Sequence, residues 1–303
     1  MSAQMSAQPV FKLQISQASR DSTVDSHVRA VERVIHAMRG DLEHALSLRA
    51  MAKIAYFSPY YFNRTFRQVT GIPPCQYLYA LRLEAASTLL LHTEQTVLDI
   101  CYEVGYNSLG TFTRRFTELM GLSPKRFRVL ARSREPLSVF DSAWREEAGQ
   151  AAGQNTELLS AENDLVGRVY GPESFEGLIL VGLFETPIPQ GKPVACALLK
   201  QTGTYRIAGV PEGKYYLFAA GLKPSEDSRA QFHNNCALRG GGQAITFTSK
   251  GITGSSDLEL RAPSAVDPPM LLALPLLIAG RYGSQRETKV PPAALMARAT
   301  KAC

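Results

Sequence analysis

The chain has 303 residues, 45% of them hydrophobic and 20% charged, which leaves room for two separate cores and excludes a disordered or fibrous polypeptide. Its formal charge of +6 is uneven: residues 25–135 carry 15 Lys+Arg against 10 Asp+Glu, a net of +5, whereas residues 136–303 carry 16 against 16. A polyanion is therefore the expected partner of the first half only.

Residues 1–24 are rich in Ser, Gln and Ala without a sustained period and read as a poorly ordered tail. Val28, Val31, Val34, Ile35 and Met38 then recur at helical spacing, with Asp25 or Ser26 as cap and Gly40 as stop. Ser47 opens a short helix to Ile54, with Leu48, Met51 and Ile54 inward. After a tight connection, Ser58-Pro59 starts a helix to Thr70. Ser accepts an orphan N–H there, and Pro has no N–H to lose. Phe62, Phe66 and Val69 form its packing face, and Tyr60, Asn63, Arg64 and Arg67 its open face. Two short helices across a tight turn, the second basic on its open side, make a helix-turn-helix.

A longer helix is expected from Pro74 to about Leu91, with Tyr77, Leu78, Leu81, Ala85 and Leu89 inside and Arg82 and Glu84 outside. The unit then repeats. An ungapped shift of 50 returns Leu48 as Leu98, Tyr56 as Tyr106, Ser58 as Ser108, Phe62 as Phe112, Arg64 as Arg114, Phe66 as Phe116, Gly71 as Gly121 and Pro74 as Pro124. Apolar positions follow the same shift: Ile54/Val104, Val69/Leu119, Ile72/Leu122 and Tyr77/Phe127. Thr96 opens this second copy, Gly105 suits its turn, and Ser108 caps a helix with Leu109, Gly110, Thr113, Arg114 and Thr117 outward. Ser123-Pro124 begins a last short helix to about Leu130.

Residues 132–163 lose periodicity and read as a linker, with Trp144 unexplained. Beyond them, short runs punctuated by Gly and Pro predict strands over 166–170, 178–184, 193–199, 204–208, 214–220, 244–247, 258–260 and 271–278. That pattern argues a β-sandwich over 164–282, followed by a C-terminal tail over 283–303. The expected architecture is multidomain: an all-α double helix-turn-helix over 25–131, then an all-β sandwich.

Five cysteines without a C-x-x-C pair make disulfides and structural zinc unexpected, and His233 with Cys236 supplies two metal ligands only. No secretory leader is read at the start. The longest apolar run, Met270 to Ala279, is interrupted by Pro275 and is roughly half a membrane span. No membrane association, no cofactor and a cytoplasmic location are expected.

The repeat is specific enough to compare with a family. SPYYFNRTFRQVTGIPPCQYLYALRLEAASTLLL followed by ICYEVGYNSLGTFTRRFTELMGLSPKRFR resembles the AraC/XylS family of bacterial transcription regulators. Arg82-Leu83 with Ala86 and Leu90 matches the family's linker helix, and Gly105-Tyr106, Phe112, Arg114, Phe116, Gly121 and Pro124 match its signature. The resemblance implies double-stranded DNA and RNA polymerase as partners, an activator rather than an enzyme, and two helices entering successive major grooves. It places Tyr60, Asn63 and Arg64 at base edges from the first helix, and Gly110, Thr113 and Arg114 from the second. Arg67 and Leu109 stand beside them, and the helix starts at Ser58 and Ser108 offer N–H groups to phosphates. The family more often has a polar residue where Gly110 stands, so the first helix is expected to carry more base specificity.

Tyr205 to Gly221 resembles the strand-turn-strand of carboxypeptidase-regulatory-like or transthyretin-like sandwiches. A small-molecule effector or a protein partner is the expected occupant of that domain. A different class, an alkylation-repair enzyme fused to a DNA reader, requires a nucleophilic cysteine in a Pro-Cys-His-Arg setting. Cys196 in Val-Ala-Cys-Ala-Leu and Cys236 in Asn-Asn-Cys-Ala lack that setting. A third class is a DNA-architectural or interaction protein, which would bind without sequence preference.

Overall fold

The computed structural model describes residues 9–44, 46–132, 164–172, 175–191, 193–222 and 236–271. The segment expected to link the two halves, together with Trp144 and the tail beyond Leu271, lies outside the described residues.

Helices come first in the chain: α1 (Pro9–Gly40), α2 (Leu48–Ile54), α3 (Pro59–Thr70), α4 (Pro74–His92), α5 (Val97–Glu103), α6 (Leu109–Met120) and α7 (Pro124–Arg132). Helix α1 starts at Pro9, well before the expected cap near Asp25. Between Pro9 and Gly40 the stretch expected in part as a poorly ordered tail contains no helix breaker, so the helix continues through it. Its buried stripe is Val31, Val34, Ile35 and Met38. The expected caps are in place, with Ser47 Oγ accepting from Ala50 N–H and Ser58 Oγ from Tyr61 N–H. Thr96 forms a reciprocal capping box with Asp99, and Ser108 Oγ accepts from Thr111 N–H. Helices α3 and α6 both end on a left-handed glycine, Gly71 and Gly121.

One core joins the two helix-turn-helix units. It holds Met51, Phe62, Phe66 and Tyr77 from the first, Ile100, Phe112, Phe116 and Phe127 from the second, and Leu81, Leu83, Ala86 and Leu90 of α4 between them. Edge-on aromatic pairs run through each half, from Phe62 to Phe66 to Tyr77 and from Tyr106 to Phe112. Helix α4 therefore has little solvent face, and Arg82, expected outside, is only 7% exposed. Its guanidinium passes inward to the His44 carbonyl, with Nη2 donating at 3.3 Å.

The two copies do not share one register throughout. From Ser58/Ser108 onward the shift is 50, but the preceding helices and turns align at 49. Phe57 N–H donates to the Ala52 carbonyl as Tyr106 N–H does to Cys101, and Tyr56 N–H to Lys53 as Gly105 N–H to Tyr102. Asn107 is the extra residue. The expected pairs Leu48/Leu98, Ile54/Val104 and Tyr56/Tyr106 are thus coincidences of residue type. Leu98 is exposed while Leu48 packs on the core. Tyr56 is 84% exposed, whereas Tyr106 is buried.

In the 49 register the left-handed turn residue is Tyr56 in the first copy (φ 59°) and Gly105 in the second (φ 80°). The second turn requires glycine on two counts: the backbone angle, and a close approach that would put a Cβ 2.1 Å from the Leu42 carbonyl oxygen and 2.6 Å from Arg82 Nη2.

The second half folds as two sheets. Strands β1 (Leu165–Tyr170), β4 (Gly203–Ile207) and β8 (Leu258–Glu259) form one in the order β4-β1-β8. Strands β2 (Leu178–Phe184), β3 (Ala195–Leu199), β5 (Gly213–Leu222), β6 (Cys236–Thr248) and β7 (Gly251–Thr253) form the other in the order β3-β2-β5-β6-β7. All pairings are antiparallel except β1 with β8. Leu165, Val169, Tyr205 and Ile207 of the first sheet meet Ile179, Val181, Leu183, Leu217, Ile245 and Phe247 of the second in one core, which makes the domain a sandwich. Val210 to Glu212, within the turn expected over Val210 to Gly213, lies between β4 and β5. Strand β7 escaped the sequence reading, and of the expected strand over 271–278 only Leu271 is described, bridging Gln190.

Two outcomes follow for stability, both measurable by chemical denaturation of the full chain. Gly105→Ala is expected to destabilise the helical half by more than about 2 kcal/mol, because strain and overlap act together. The buried Tyr106 hydroxyl has no hydrogen-bond partner, and Phe57 occupies the matching place in the first copy. Tyr106→Phe should therefore stabilise by about 1 kcal/mol.

Candidate nucleic-acid interface

Each second helix of a helix-turn-helix unit has one face fixed in the core and one left open. On α3, Phe62, Thr65, Phe66 and Thr70 are buried. Tyr60, Asn63, Arg64, Arg67 and Gln68 are exposed and line an open depression of about 450 Å³. Tyr60 is 82% exposed, so it does not pack against its neighbours. The surface offers two guanidinium groups, two carboxamides and a phenol within three helical turns. Tyr61, at the edge of that face, is held by a ring cluster with His27 and Phe57, and its hydroxyl lies 2.9 Å from His27 Nε2.

Helix α6 repeats the plan with less chemistry. Phe112, Phe116 and Met120 are buried, while Leu109, Gly110 and Arg114 are exposed and Thr113 is half-buried. Arg114 Nε lies 3.9 Å from Glu118 Oε1, an exposed contact worth little in water, so the guanidinium remains available to another anion. Arg115 next to it points elsewhere, with its guanidinium carbon 4.3 Å from the centre of the Tyr79 ring on α4. It fastens α6 to the linker helix. Arg128, on the last helix, donates to the carbonyls of Leu90 and Gln95 and ties α7 to the end of α4. Lys125 and Arg126 at the start of α7 are exposed.

The sequence-predicted residues Ser58, Tyr60, Asn63, Arg64 and Arg67 therefore gather at one surface on α3, and Ser108, Leu109, Gly110, Thr113 and Arg114 at a second on α6. Both serines use their hydroxyls as helix caps at 3.4 Å. Gln68, which also lines the α3 depression, was not singled out from the sequence, although its place one residue past Arg67 on the open face makes it readable. Among the described residues there is no cluster of His, Cys, Asp and Glu suited to a metal, and no helix is long and apolar enough to cross a membrane.

Comparison with known proteins places the helical half. Residues 51–129 match the helix-turn-helix domain family. Over 103 residues, 34% of this chain, it is 30% identical to the regulatory protein SoxS of Salmonella typhimurium and covers 96% of that protein. Over 102 residues it is 31% identical to the transposon Tn10 TetD protein of Escherichia coli, covering 34% of this chain and 74% of that one. Coverage of longer relatives is smaller: the match to the transcriptional regulator YobQ of Bacillus subtilis, 31% identical, spans 42% of its length. The solved DNA-binding domain of AdpA in complex with a target DNA is similar at 28% identity, covering 35% of this chain and 96% of that one, with a TM-score of 0.34. With two helix-turn-helix units on a common linker helix, and SoxS and TetD matched along the same residues, the chain belongs to the AraC family of DNA-binding transcription regulators.

Proposed function

We propose that the chain is a sequence-specific activator that places α3 and α6 in successive major grooves of a promoter site, with most base recognition on α3. The observation that carries this is the exposed α3 face. Its two arginines can pair bidentately with guanine, its amides with adenine, and each good pair discriminates by about 1–3 kcal/mol. At 19 residues α4 is roughly 28 Å long, close to the length needed to hold two helices one DNA turn apart, about 34 Å. No second copy of the chain is needed for that spacing.

Arg64 and Asn63 are the principal base-reading residues, with Tyr60 and Arg67 beside them. Thr113 and Arg114 read from α6, where Leu109 offers an apolar contact to a thymine methyl and Gly110 allows the backbone close to the DNA. The N-termini at Ser58 and Ser108 hold phosphates. The helical domain occupies 25–131, and the sandwich over 164–282 receives a small-molecule effector or a protein partner. RNA polymerase is the partner through which activation proceeds. The repair-enzyme alternative gains nothing from Cys101, which is buried and whose thiol burial pushes up, the opposite of an activated nucleophile.

Random-site selection with the purified chain, followed by binding to the selected site at several salt concentrations, tests the reading. Arg64→Ala should weaken the selected site by about 1–3 kcal/mol and relax preference at one base pair. Lys125→Ala should weaken all sequences alike and reduce the salt slope by about 1. Absence of any enriched motif, with Arg64→Ala binding as the parent does, would remove α3 as a base reader.

A further inference from the structure

The repeat leaves one difference that packing does not explain. Tyr77 and Phe127 occupy equivalent places, each ring set edge-on against the second phenylalanine of its reading helix, Phe66 or Phe116. Both rings are fully buried. A phenylalanine is therefore sufficient for the core, yet the first copy carries a hydroxyl. That hydroxyl donates across the domain boundary to the Asp267 carbonyl at 2.8 Å, with the Ala265 carbonyl at 3.5 Å.

The receiving surface is a foot made of two loops of the sandwich domain. One runs from Thr186 to Gly191 and the other from Ser264 to Leu271. Leu271 N–H donates to the Pro189 carbonyl at 3.0 Å, and Thr186 Oγ1 to the Ile188 carbonyl at 2.8 Å, so the two loops are stitched to each other and folded on themselves. The Asp267 carboxylate organises the second loop. It accepts both Nη atoms of Arg261 at 2.8 and 2.7 Å and the Ser264 N–H at 2.7 Å, with Arg239 Nε at 3.5 Å. Burial alone would raise this carboxyl. The Arg261 and Ser264 hydrogen bonds and the Arg239 charge outweigh it and hold the group below the usual carboxylate range.

The foot touches both helix-turn-helix units. Ile188 and Leu271 are buried within the helical core itself, with Val266 packed against it. Gly191 N–H donates to the Leu119 carbonyl in the last turn of α6 at 2.5 Å and is shared, at 3.2 Å, with the Leu271 carbonyl of the foot. Gly191 lies at φ +63°, and a Cβ there would stand 3.3 Å from the Glu118 carbonyl oxygen, so glycine allows this approach. One contact therefore lands where α4 leaves the first unit and another on the end of the second reading helix. The open residues Arg64 and Arg114 stay exposed while the foot is seated.

We propose that the sandwich domain acts as an intramolecular brace: its two-loop foot, latched by the Tyr77 hydroxyl on the Asp267 carbonyl and by Gly191 on Leu119, fixes the two reading helices relative to each other. The surface it fits is thus a part of this same chain, and a ligand or partner that shifts either loop shifts the reader. The consequence for DNA rests on the two-groove reading above; the brace itself does not.

The test uses the full chain with the Tyr77→Phe variant, which preserves the ring as Phe127 does, and Ile188→Glu, which places a charge in the docked foot without entering either reading helix. Amide exchange is followed at Gly191 and Leu271. Distances between spin labels on encoded p-acetylphenylalanine at Lys53 and Glu103 are measured without DNA. The expected result is near-parental melting for Tyr77→Phe, about tenfold faster exchange at Gly191, and a broadened distance distribution, with Ile188→Glu showing both effects more strongly. A DNA carrying both half-sites should bind the variants several-fold more weakly, and a single half-site should bind them as it binds the parent. Unchanged exchange at Gly191 in both variants would overturn the latch. Faster exchange with an unaltered distance distribution would leave a docked domain that braces nothing. Failure of the parent chain to select any sequence would count against the two-groove reading, while the distances without DNA still decide the brace.

Discussion

Everything in the helical half depends on α4 being buried along most of its length. A helix with one wet face can rotate or slide at modest cost, whereas this one buries its own Tyr77, Leu78, Leu81, Leu83, Ala86 and Leu90, all of them in a single core with α3 and α6. Arg82 makes the constraint directional. Its side chain lies inside, donates to the His44 carbonyl before the first unit, and rests against Gly105 in the turn of the second. A buried guanidinium is costly unless its environment is fixed, so the residue that lies between the units also penalises their displacement.

The same constraint explains why the two turns differ. Gly105 lies under Arg82 and the Leu42 carbonyl, where no side chain fits. Tyr56, at the equivalent place in the first unit, faces solvent with Arg33 over its ring at 5.7 Å. The left-handed backbone is common to both, and only the second also has a steric demand. A non-glycine residue in that conformation stores strain of about 1 kcal/mol, which the first unit tolerates because nothing crowds it.

Much of this was legible in the sequence, and what escaped did so for identifiable reasons. Caps at Ser47, Ser58, Thr96 and Ser108 and stops at Gly71 and Gly121 follow from chemistry local to a few residues, and they fall where expected. Most strands were also readable from their punctuation. The one-residue slip before Ser108 was not, because chance identities at Leu48/Leu98 and Tyr56/Tyr106 favoured an ungapped shift, and only the hydrogen bonds to Ala52 and Cys101 expose it. Arg82 was misplaced because charge predicts exposure on average, and a buried arginine is recognised by its partners, which are distant in sequence. The foot was invisible for the same reason: Tyr77 and Asp267 are 190 residues apart, and the acceptor is a backbone carbonyl that carries no residue-type signal.

The difference between the two open helix faces acquires a physical setting from these placements. Helix α3 presents Tyr60, Asn63, Arg64, Arg67 and Gln68 together on an exposed face. Helix α6 has more joints: Arg115 is taken up by Tyr79, and the Leu119 carbonyl accepts from Gly191. One unit leaves this face open, and the other also carries joints to α4 and to the sandwich. The two open faces thus differ in side chains while their inner faces differ in fastening: Arg115 of α6 stacks on Tyr79 of α4, where its counterpart on α3, Thr65, is simply buried.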